Sequence, residues 1–477
     1  MTERKSVHFI GIGGTGLSAI ARVLLESGYQ VTGSDRILSP LAKSLMEEGV
    51  RVAIGHRAEN IEGAQLVVRS SAIPDDNVEV IAAITQGIQV LKRSEFLSSL
   101  IEQKMGIAVA GTHGKTTTTA MIAWVLTSLR QDPTFIVGGV INNLGTNAHA
   151  GKGHAFVIEA DEYDHMFLGL KPKIAVVTNI EHDHPDCYPT PEDFFNAFIE
   201  FAAQVGSDGT LLVNVNDGGA ARLGQIARSR GQRVLSYAIQ QSNNGSSNQQ
   251  VDYMAKSIVP NLIGGMSFDA VCSLPGKKFD LHSPINLRVP GKHNVQNALA
   301  TLAVAHQMQL SIDQATQALS EFRGTGRRFE VRGEINGITI IDDYAHHPTE
   351  IRATLSAART RYPKSRLWVV WQPHTYSRTR LLFDDFVAAF EQADHVLVTA
   401  IYAAREQPPV DGFSSQQVVA AMTFPDTQYI ADFSQATKLL VDQLGYGDVL
   451  IVLSAGDADQ ISTRVLAQIK EGSNTSE

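Results

Sequence analysis

The sequence has few cysteines and no long apolar run, and each deficit excludes a class of protein. Two cysteines among 477 residues, Cys187 and Cys272, cannot build a disulfide framework or a thiolate zinc site, which suits a reducing cytoplasm. The longest apolar runs, such as Ala120 to Leu126, are far shorter than the ~20 residues that span a bilayer. Met1 to Ser6 also lack an apolar signal core. We therefore expect a soluble cytoplasmic protein with no membrane association.

Long basic runs are also missing. The 40 basic and 49 acidic residues give a formal charge of -9, so the sequence offers no footprint for a phosphate backbone and nucleic acid is not an expected partner. The 39 glycines are spread through apolar stretches without low-complexity repeats. This pattern is typical of a globular, turn-rich α/β enzyme with several cores.

Three stretches of the chain each begin with a short apolar strand that leads into a turn and a helical pattern. The strands start at Val7, Ile107 and Ile338, and they are continuously apolar, as in parallel sheets buried on both faces. The polar segment Gln240 to Gln250 is predicted to be a surface loop without chemistry. The predicted domains are residues 1–105, 106–325 and 326–477.

A glycine-rich turn follows the first strand. Gly11-Ile-Gly-Gly-Thr-Gly16 precedes a predicted helix, Leu17 to Ser27, and Asp35 ends the next strand. Such glycines let a pyrophosphate approach the helix N-terminus, where free N–H groups and the helix dipole favour anions. The motif indicates a nucleotide site but does not identify the nucleotide, and a tight turn without a ligand is the alternative.

A second loop joins the strand Ile107 to Ala110 to a helix. Gly111-Thr-His-Gly-Lys-Thr-Thr117 resembles the loop whose amides and lysine surround the β- and γ-phosphates of a nucleotide. It is shorter than the general form because Val109 stands where the first glycine would fall. Its position between strand and helix nevertheless favours a phosphate-binding loop.

Acidic and histidine residues follow two further strands of the middle region. Glu159, Asp161 and Glu162 end one strand, and the segment Thr178 to His184 ends another. The carboxyl ends of neighbouring parallel strands share one edge of a sheet, so these side chains are expected to meet beside the phosphate loop. Their oxygen and imidazole ligands suit a divalent metal, with magnesium the best fit.

Two polar clusters end strands in the third region. His346 and His347 follow one strand, and the segment Gln372 to Arg378 follows another. An arginine there can grip a carboxylate with two hydrogen bonds, while a histidine or tyrosine can orient an amine. Pro348-Thr-Glu350 is typical of a helix start, so part of this cluster is expected to serve in capping.

Seven motifs, in this order, resemble the Mur ligases, and the resemblance covers nearly the whole chain. They are Gly-Ile-Gly-Gly-Thr-Gly from residue 11, Ala-Gly-Thr-His-Gly-Lys-Thr-Thr-Thr from 110, Glu-Ala-Asp-Glu-Tyr-Asp from 159, Thr-Asn-Ile-Glu-His-Asp-His from 178, Pro-Gly-Lys-His-Asn-Val-Gln-Asn-Ala from 290, Gly-Arg-Arg-Phe from 326, and Asp-Asp-Tyr-Ala-His-His-Pro-Thr-Glu from 342.

The resemblance implies an N-terminal Rossmann-like domain for a UDP-sugar, a central P-loop ATPase-like domain with a parallel sheet, and a C-terminal Rossmann-like domain for the amino acid. It also implies an ATP-dependent ligase of cytoplasmic peptidoglycan precursor synthesis that uses magnesium. The expected reaction joins L-alanine to the lactyl carboxylate of UDP-N-acetylmuramate, in a monomer or weak homodimer.

The resemblance also assigns roles to residues by motif. ATP binding falls to Gly111, Thr112, His113, Gly114, Lys115, Thr116, Thr117, His293, Asn297 and Arg328, and magnesium binding to Thr116, Glu159 and His184. The UDP-sugar region matches at Gly13, Thr15, Gly16, Asp35, His56 and Ser71, and the amino-acid side at Tyr344, His346 and Arg378. Lys115, His346 and Arg378 are the expected catalytic residues.

One feature of some related ligases is not expected here. Several of them use a carbamylated lysine near a second metal, but this chain has no lysine between Lys173 and Lys256. The resemblance then leaves Glu159 and His184 as the protein ligands besides Thr116.

The expected chemistry follows from the lack of a leaving group on a carboxylate. ATP supplies one when the carboxylate attacks the γ-phosphate, and the amine then displaces phosphate from the acyl phosphate. The general base stays open between His346 and a metal-bound water. Three alternatives also stay open: a ligase that recycles a whole tripeptide, a dinucleotide-dependent oxidoreductase, and a nucleotide-gated binding protein.

Overall fold

The computed structural model describes residues 5–102, 104–240, 251–276, 279–280, 284–423 and 426–474. Its strands form three separate sheets, in the order in which the apolar patterns occur along the chain. The predicted α/β class with three sheet-based units is therefore confirmed. The polar segment predicted as a surface loop lies outside the described residues, apart from Gln240.

The N-terminal unit is a five-stranded parallel sheet with strand order β3-β2-β1-β4-β5. Every residue of its central strand, β1, is buried, including the polar Ser6 and His8. The strands are β1 (Ser6–Ile10), β2 (Gln30–Asp35), β3 (Arg51–Ile54), β4 (Leu66–Arg69) and β5 (Gln89–Lys92), and the helices are α1 (Thr15–Glu26), α2 (Pro40–Glu47), α3 (Val78–Thr85) and α4 (Arg93–Ile101).

The central unit has a larger sheet whose parallel middle is extended by antiparallel edges. Its main order is β15-β14-β13-β12-β11-β10-β6-β9-β7-β8, and β16 pairs with β14. The strands are β6 (Met105–Ala110), β7 (Thr134–Ile141), β8 (Thr146–His149), β9 (Ala155–Glu159), β10 (Ile174–Val177), β11 (Thr210–Asn214), β12 (Val234–Ile239), β13 (Tyr253–Pro260), β14 (Met266–Cys272), β15 (Phe279–Asp280) and β16 (Ile285–Asn286). The helices are α5 (Lys115–Ser128), α6 (Pro191–Ala203), α7 (Gly218–Ser229), α8 (Lys292–Gln307) and α9 (Ile312–Glu321).

The C-terminal unit has six strands in the order β17-β18-β22-β19-β20-β21, and only β17 pairs antiparallel. Its last strand, β22, therefore lies inside the sheet between β18 and β19. The strands are β17 (Glu330–Ile335), β18 (Ile338–Asp343), β19 (Leu367–Gln372), β20 (His395–Val398), β21 (Thr427–Tyr429) and β22 (Val449–Ser454). The helices are α10 (Pro348–Arg361), α11 (Tyr376–Leu381), α12 (Phe383–Val387), α13 (Ser415–Ala421), α14 (Phe433–Gln443) and α15 (Asp459–Asn474).

The N-terminal and central units share one apolar cluster. Val7 and Phe9 of β1 belong to the same buried cluster as Ala108 and Ala110 of β6. The C-terminal sheet instead has its own apolar cluster on each face. The C-terminal unit is thus joined to the rest mainly through the polar contacts described below. Within the described ranges, no helix combines the length and the apolar character needed to cross a membrane.

Candidate active site between the three units

The carboxyl ends of the three sheets face a shared cleft. A cavity of ≈ 540 Å³ is lined by Thr15 and Gly16 of the N-terminal unit, by Lys115, Glu159 and His184 of the central unit, and by Arg328, Tyr344, His346 and Arg378 of the C-terminal unit. A neighbouring cavity of ≈ 270 Å³ lies between the central and C-terminal units. The structure therefore brings together most of the residues that the sequence motifs singled out.

The phosphate loop leaves β6 and enters α5 through two glycines with positive φ. Gly111 has φ 134°, and a Cβ atom there would overlap the Thr178 hydroxyl. Gly114 has φ 81° and is the N-cap of α5, where no side chain caps the helix. The backbone N–H groups at this helix start are therefore left to a ligand, and the helix dipole makes an anion the favoured one.

Lys115 carries the positive charge of the loop. Its Nζ donates to the carbonyl oxygen of Gly111 at 2.6 Å and to Glu162 Oε1 at 2.8 Å. Burial opposes the charged form, but the nearby charges of Glu162 and Asp161 outweigh it, so the pKa of Lys115 is raised above its ordinary value. The lysine therefore stays charged at the edge of the cavity.

Glu159 and Thr116 lie in direct contact beside this lysine. Thr116 Oγ1 donates to Glu159 Oε1 at 2.9 Å, and the N–H of Gly138 donates to Glu159 Oε2 at 2.7 Å. A Cβ on Gly138 would lie 2.6 Å from Glu159 Oε2, so this glycine makes room for the carboxylate. Burial raises the pKa of Glu159, and the positive charge of Lys115 only partly opposes this rise.

The larger cavity is lined by donors that suit a divalent cation. His184 Nε2 lies 3.5 Å from Glu162 Oε1, and the second oxygen of Glu162 is buried without a hydrogen-bond partner among the described residues. Two carboxylates, a hydroxyl and an imidazole next to a phosphate loop match the ligands that magnesium accepts. Glu162 belongs to the acidic cluster noted in the sequence, but the motif-based magnesium set does not include it.

His113 of the phosphate loop connects the central unit to the C-terminal unit. Its Nε2 lies 3.0 Å from Glu181 Oε2, and its Nδ1 lies 3.2 Å from Glu350 Oε1. Burial alone would lower its pKa, but the two carboxylates raise it to about 9. Thr349 Oγ1 also donates to Glu181 Oε1 at 2.9 Å. The loop is thus tied to the start of α10 by a charged histidine.

His113, Glu181 and His347 lie close enough to hold a metal ion, since their ligand atoms fall within 4.8 Å of one another. Both ring nitrogens of His113 already face carboxylates, however, and the Nδ1 of His347 accepts a hydrogen bond from the N–H of Thr349 at 3.3 Å. His113 and Glu181 are therefore already paired, whereas the Nε2 of His347 is buried without a hydrogen-bond partner among the described residues. His347 caps α10, as the Pro348-Thr-Glu350 pattern led us to expect of part of this motif.

The smaller cavity has the expected nucleotide residues in its wall. His293, Asn297 and Arg328 line it together with His113 and Gly114 of the loop. Burial lowers the pKa of His293 to about 4, so its ring is neutral at pH 7. Arg328 is 3.6 Å from Glu350 and lies over the ring of Tyr344, with Cζ 5.1 Å from the centroid. The C-terminal unit thus contributes an arginine to this wall, beside the charged His113 of the central unit.

Arg378 occupies a buried position in the larger cavity. Its Nε donates to Asp183 Oδ1 at 2.8 Å, with side-chain exposures of 4% and 5%, and its Nη1 lies 2.8 Å from His374 Nδ1. Burial lowers the pKa of His346 to about 3, so that ring is also neutral. A fixed guanidinium thus faces the cavity next to a neutral imidazole.

The residues expected to bind the UDP-sugar are more spread out. Only Thr15 and Gly16 line the larger cavity, while Gly13, Asp35, His56 and Ser71 line neither cavity. The N–H of Gly13 donates to Asp35 Oδ2 at 2.8 Å, and a Cβ there would overlap Ser39 and Asp35, so this glycine is required by packing within the loop.

His56 is held by a buried carboxylate that the motifs did not indicate. Its Nδ1 lies 3.1 Å from Ser34 Oγ and 3.5 Å from Glu79 Oε1. Glu79 is fully buried and also lies 3.3 Å from His8. Glu79 belongs to none of the motifs and lies in the apolar helix α3, so its burial could not be predicted from the sequence.

Fold and site together define a three-unit α/β enzyme built around a nucleotide phosphate loop. Three family models match the chain in succession: "Mur ligase family, catalytic domain" over residues 6–105, "Mur ligase middle domain" over 109–305 and "Mur ligase, glutamate ligase domain" over 327–456. The chain therefore belongs to the Mur ligase family, and the resemblance seen in the sequence motifs is confirmed.

Curated relatives and solved structures are similar over almost the whole chain. The UDP-N-acetylmuramate–L-alanine ligase of Geobacter sp. (strain M21) is 42% identical over 97% of both chains, and that of Sorangium cellulosum is 43% identical over 95% of this chain and 94% of its own. The UDP-N-acetylmuramate-alanine ligase MurC of Thermotoga maritima superposes with a TM-score of 0.80 at 26% identity, covering 98% and 99% of the two chains. A murein peptide ligase from Psychrobacter arcticus superposes with a TM-score of 0.70 at 26% identity, covering 98% of each chain.

Proposed function

We propose that this chain is an ATP-dependent ligase that joins L-alanine to the lactyl carboxylate of UDP-N-acetylmuramate in peptidoglycan precursor synthesis. The relatives with that activity in their names are 40–43% identical across the chain. The tripeptide-recycling alternative has weaker support, since the murein peptide ligase superposes with a TM-score of 0.70 against 0.80. One structural observation carries the proposal: the phosphate loop, the acidic strand ends and Arg378 line a single cavity.

The first step activates the acid. The lactyl carboxylate attacks the γ-phosphate, the bond from that phosphorus to the ADP oxygen breaks, and an acyl phosphate forms. Lys115 stays charged in its buried position and stabilises the negative charge that spreads over the transferring group. The uncapped backbone N–H groups at the start of α5 donate hydrogen bonds to the same phosphoryl group.

The metal and nucleotide roles are proposed from the same contacts. Thr116, Glu159 and His184 would hold magnesium, with Glu162 close enough to take part. When bound, magnesium neutralises charge on the phosphates. His293 and Asn297 line the adenine side of the nucleotide cavity, and Arg328 reaches the phosphates from the C-terminal unit.

The second step forms the amide. The neutral amine of L-alanine attacks the acyl carbon, phosphate leaves with the electron pair of the broken C–O bond, and the proton lost by the nitrogen passes to the departing phosphate or to water. Arg378 is fixed by Asp183 and would grip the carboxylate of the amino acid, while Tyr344 and His346 line its approach. With a pKa of about 3, His346 accepts a hydrogen bond from the amine and orients it, but it is too weak a base to hold the proton at pH 7.

We also propose the division into domains at residues 1–105, 106–325 and 326–477, a cytoplasmic location, and a monomer or weak homodimer. Strand β6 begins at Met105 and β17 at Glu330, which supports the two boundaries to within a few residues.

A product assay tests the function. The enzyme is given UDP-N-acetylmuramate, ATP and magnesium with L-alanine, L-serine, glycine or the tripeptide in parallel. We expect phosphate release that depends on L-alanine, with a matching gain in mass of the sugar nucleotide. Release that requires the tripeptide would establish the recycling reaction instead, and release without any amine would indicate a simple ATPase. Tight dinucleotide binding without ATP turnover would favour an oxidoreductase.

A further inference from the structure

Arg93 belongs to the cleft, although no sequence motif includes it. It is the first residue of α4, directly after β5, and therefore lies at the carboxyl edge of the N-terminal sheet. Its side chain lines the larger cavity with Thr15 and Gly16 on one side and Lys115 on the other. The guanidinium thus lies between the glycine-rich loop and the phosphate loop.

The contact between Arg93 and Gly16 is the first physical argument. A Cβ atom on Gly16 would overlap the guanidinium at Nη1, so the missing side chain makes space for the arginine. Gly16 lies in the first turn of the 12-residue helix α1, which has no side-chain cap and no acidic residue in that turn. A cation against the positive end of a helix dipole is unfavourable unless an anion binds to both. The packing is therefore that of an anion site.

The contacts of Arg93 supply the second argument. Nη2 lies 3.2 Å from Asp161 Oδ2 of the central unit. Its Nε is buried and has no hydrogen-bond partner within the part of the chain that the structure describes. A guanidinium offers five N–H donors, and a buried donor without a partner is costly. Asp161 is 39% exposed, so this ion pair is weak enough to exchange for a stronger anion.

We propose that Arg93 binds the diphosphate of the UDP-sugar above the start of α1, and that it leaves Asp161 to do so. This inference rests on the proposed function, since it names a further binding residue for the same substrate. A diphosphate fits better than the ATP phosphates because Arg93 packs on the glycine-rich loop, whereas the phosphate loop has its own Lys115. When Arg93 exchanges Asp161 for the diphosphate, the carboxylate of Asp161 loses its partner. Binding of the sugar nucleotide to the N-terminal unit thereby changes a contact of the central unit.

Titration calorimetry with UDP-N-acetylmuramate in the absence of ATP tests the proposal. We expect Arg93→Met to raise the Kd at least tenfold, because charge-assisted hydrogen bonds to phosphate are lost, and Arg93→Lys to restore part of the affinity. Asp161→Asn should lower the Kd, because it removes the competing carboxylate. The control is Arg51→Met, which removes the same charge from an exposed position. Arg51 is the first residue of β3 and so lies at the amino edge of the sheet, away from the cleft, and its loss should leave the Kd within twofold.

Gly16→Ala provides a second test that does not depend on removing the charge. The added methyl should displace Arg93 and raise the Kd for UDP-N-acetylmuramate. In the double variant Gly16→Ala/Arg93→Met, the Kd should be no higher than in Arg93→Met alone. ATP binding should stay within twofold in Gly16→Ala, Arg93→Met and the double variant, which also reports correct folding.

The outcomes separate the two proposals. If the wild-type protein does not bind the sugar nucleotide, the proposed function fails. The role of Arg93 is refuted if the wild-type protein binds and Arg93→Met binds equally well. It is also refuted if the losses of affinity in Gly16→Ala and Arg93→Met simply add in the double variant. A higher Kd for Asp161→Asn would refute the exchange.

Discussion

The charged histidine between two units gives the sharpest prediction. The ring of His113 is 87% buried, with a carboxylate of the central unit on one nitrogen and a carboxylate of the C-terminal unit on the other. Its pKa is raised from 6.5 to about 9. A rise of this size corresponds to about 3 kcal/mol of preference for the charged form in the folded protein. If the two carboxylates contribute equally, more than half of that net preference depends on the C-terminal unit being in place, because the carboxylates also offset the effect of burial.

The sign follows from the raised pKa. The stabilisation is fully present below about pH 6.5, and it is lost as the pH rises through about 9. The junction between the central and C-terminal units should therefore loosen in alkaline solution. Because Glu350 starts the helix α10, loss of this charge also releases the N-terminal end of that helix from the phosphate loop.

NMR titration of ¹³C-labelled histidines measures this pKa directly, and His113→Gln assigns the signal. We expect a midpoint near 9 in the wild-type protein, and a midpoint lower by more than about 1 in Glu350→Gln and in Glu181→Gln, because the two carboxylates also offset the effect of burial. Glu192→Gln removes an exposed carboxylate that pairs with Arg222, so it should leave the midpoint unchanged. A wild-type midpoint near 6.5, or one that neither carboxylate variant lowers, would refute the reasoning.

Three further predictions concern the catalytic cavity. Lys115→Met should lower kcat by roughly 100-fold or more, as loss of one transition-state contact does, while calorimetry should show UDP-sugar affinity within twofold of wild type. Glu159→Gln should raise the magnesium concentration needed for half-maximal rate by about 10-fold or more; an unchanged requirement would exclude this residue as a ligand. Asp183→Asn should leave Arg378 buried without its anion, which costs about 3 kcal/mol, so kcat/KM for L-alanine should fall by roughly 100-fold, and an unaltered value would show that the pair does not position the substrate.

The sequence was informative where strands are buried on both faces. β6, and β19 as far as Trp371, are continuous apolar runs followed by a polar or glycine-rich turn, so their parallel pairing and the edge at which ligands gather could both be predicted. The edge strands of the central sheet were not predicted. In β14 buried and partly exposed residues alternate, as in a strand with one solvated face, and no apolar run marks it.

The partners within the cleft could not be predicted either. Asp183 and Arg378 are 195 residues apart in sequence, and their contact depends on how two separately folded units meet. Glu350 was interpreted as part of a helix start, which is correct for its position but does not reveal its contact with His113. Motifs indicate which residues end strands, whereas pairs across units depend on tertiary packing. The roles assigned to the individual site residues stay predictions until the variants are measured.

The position of β22 has a consequence for the newly made protein. This strand is the last one in the chain, yet it separates β18 from β19 inside the C-terminal sheet. A polypeptide that ends before residue 449 would lack the strand that joins β18 to β19. The C-terminal wall of the cleft, which carries Glu350 and Arg378, would then have no continuous sheet beneath it.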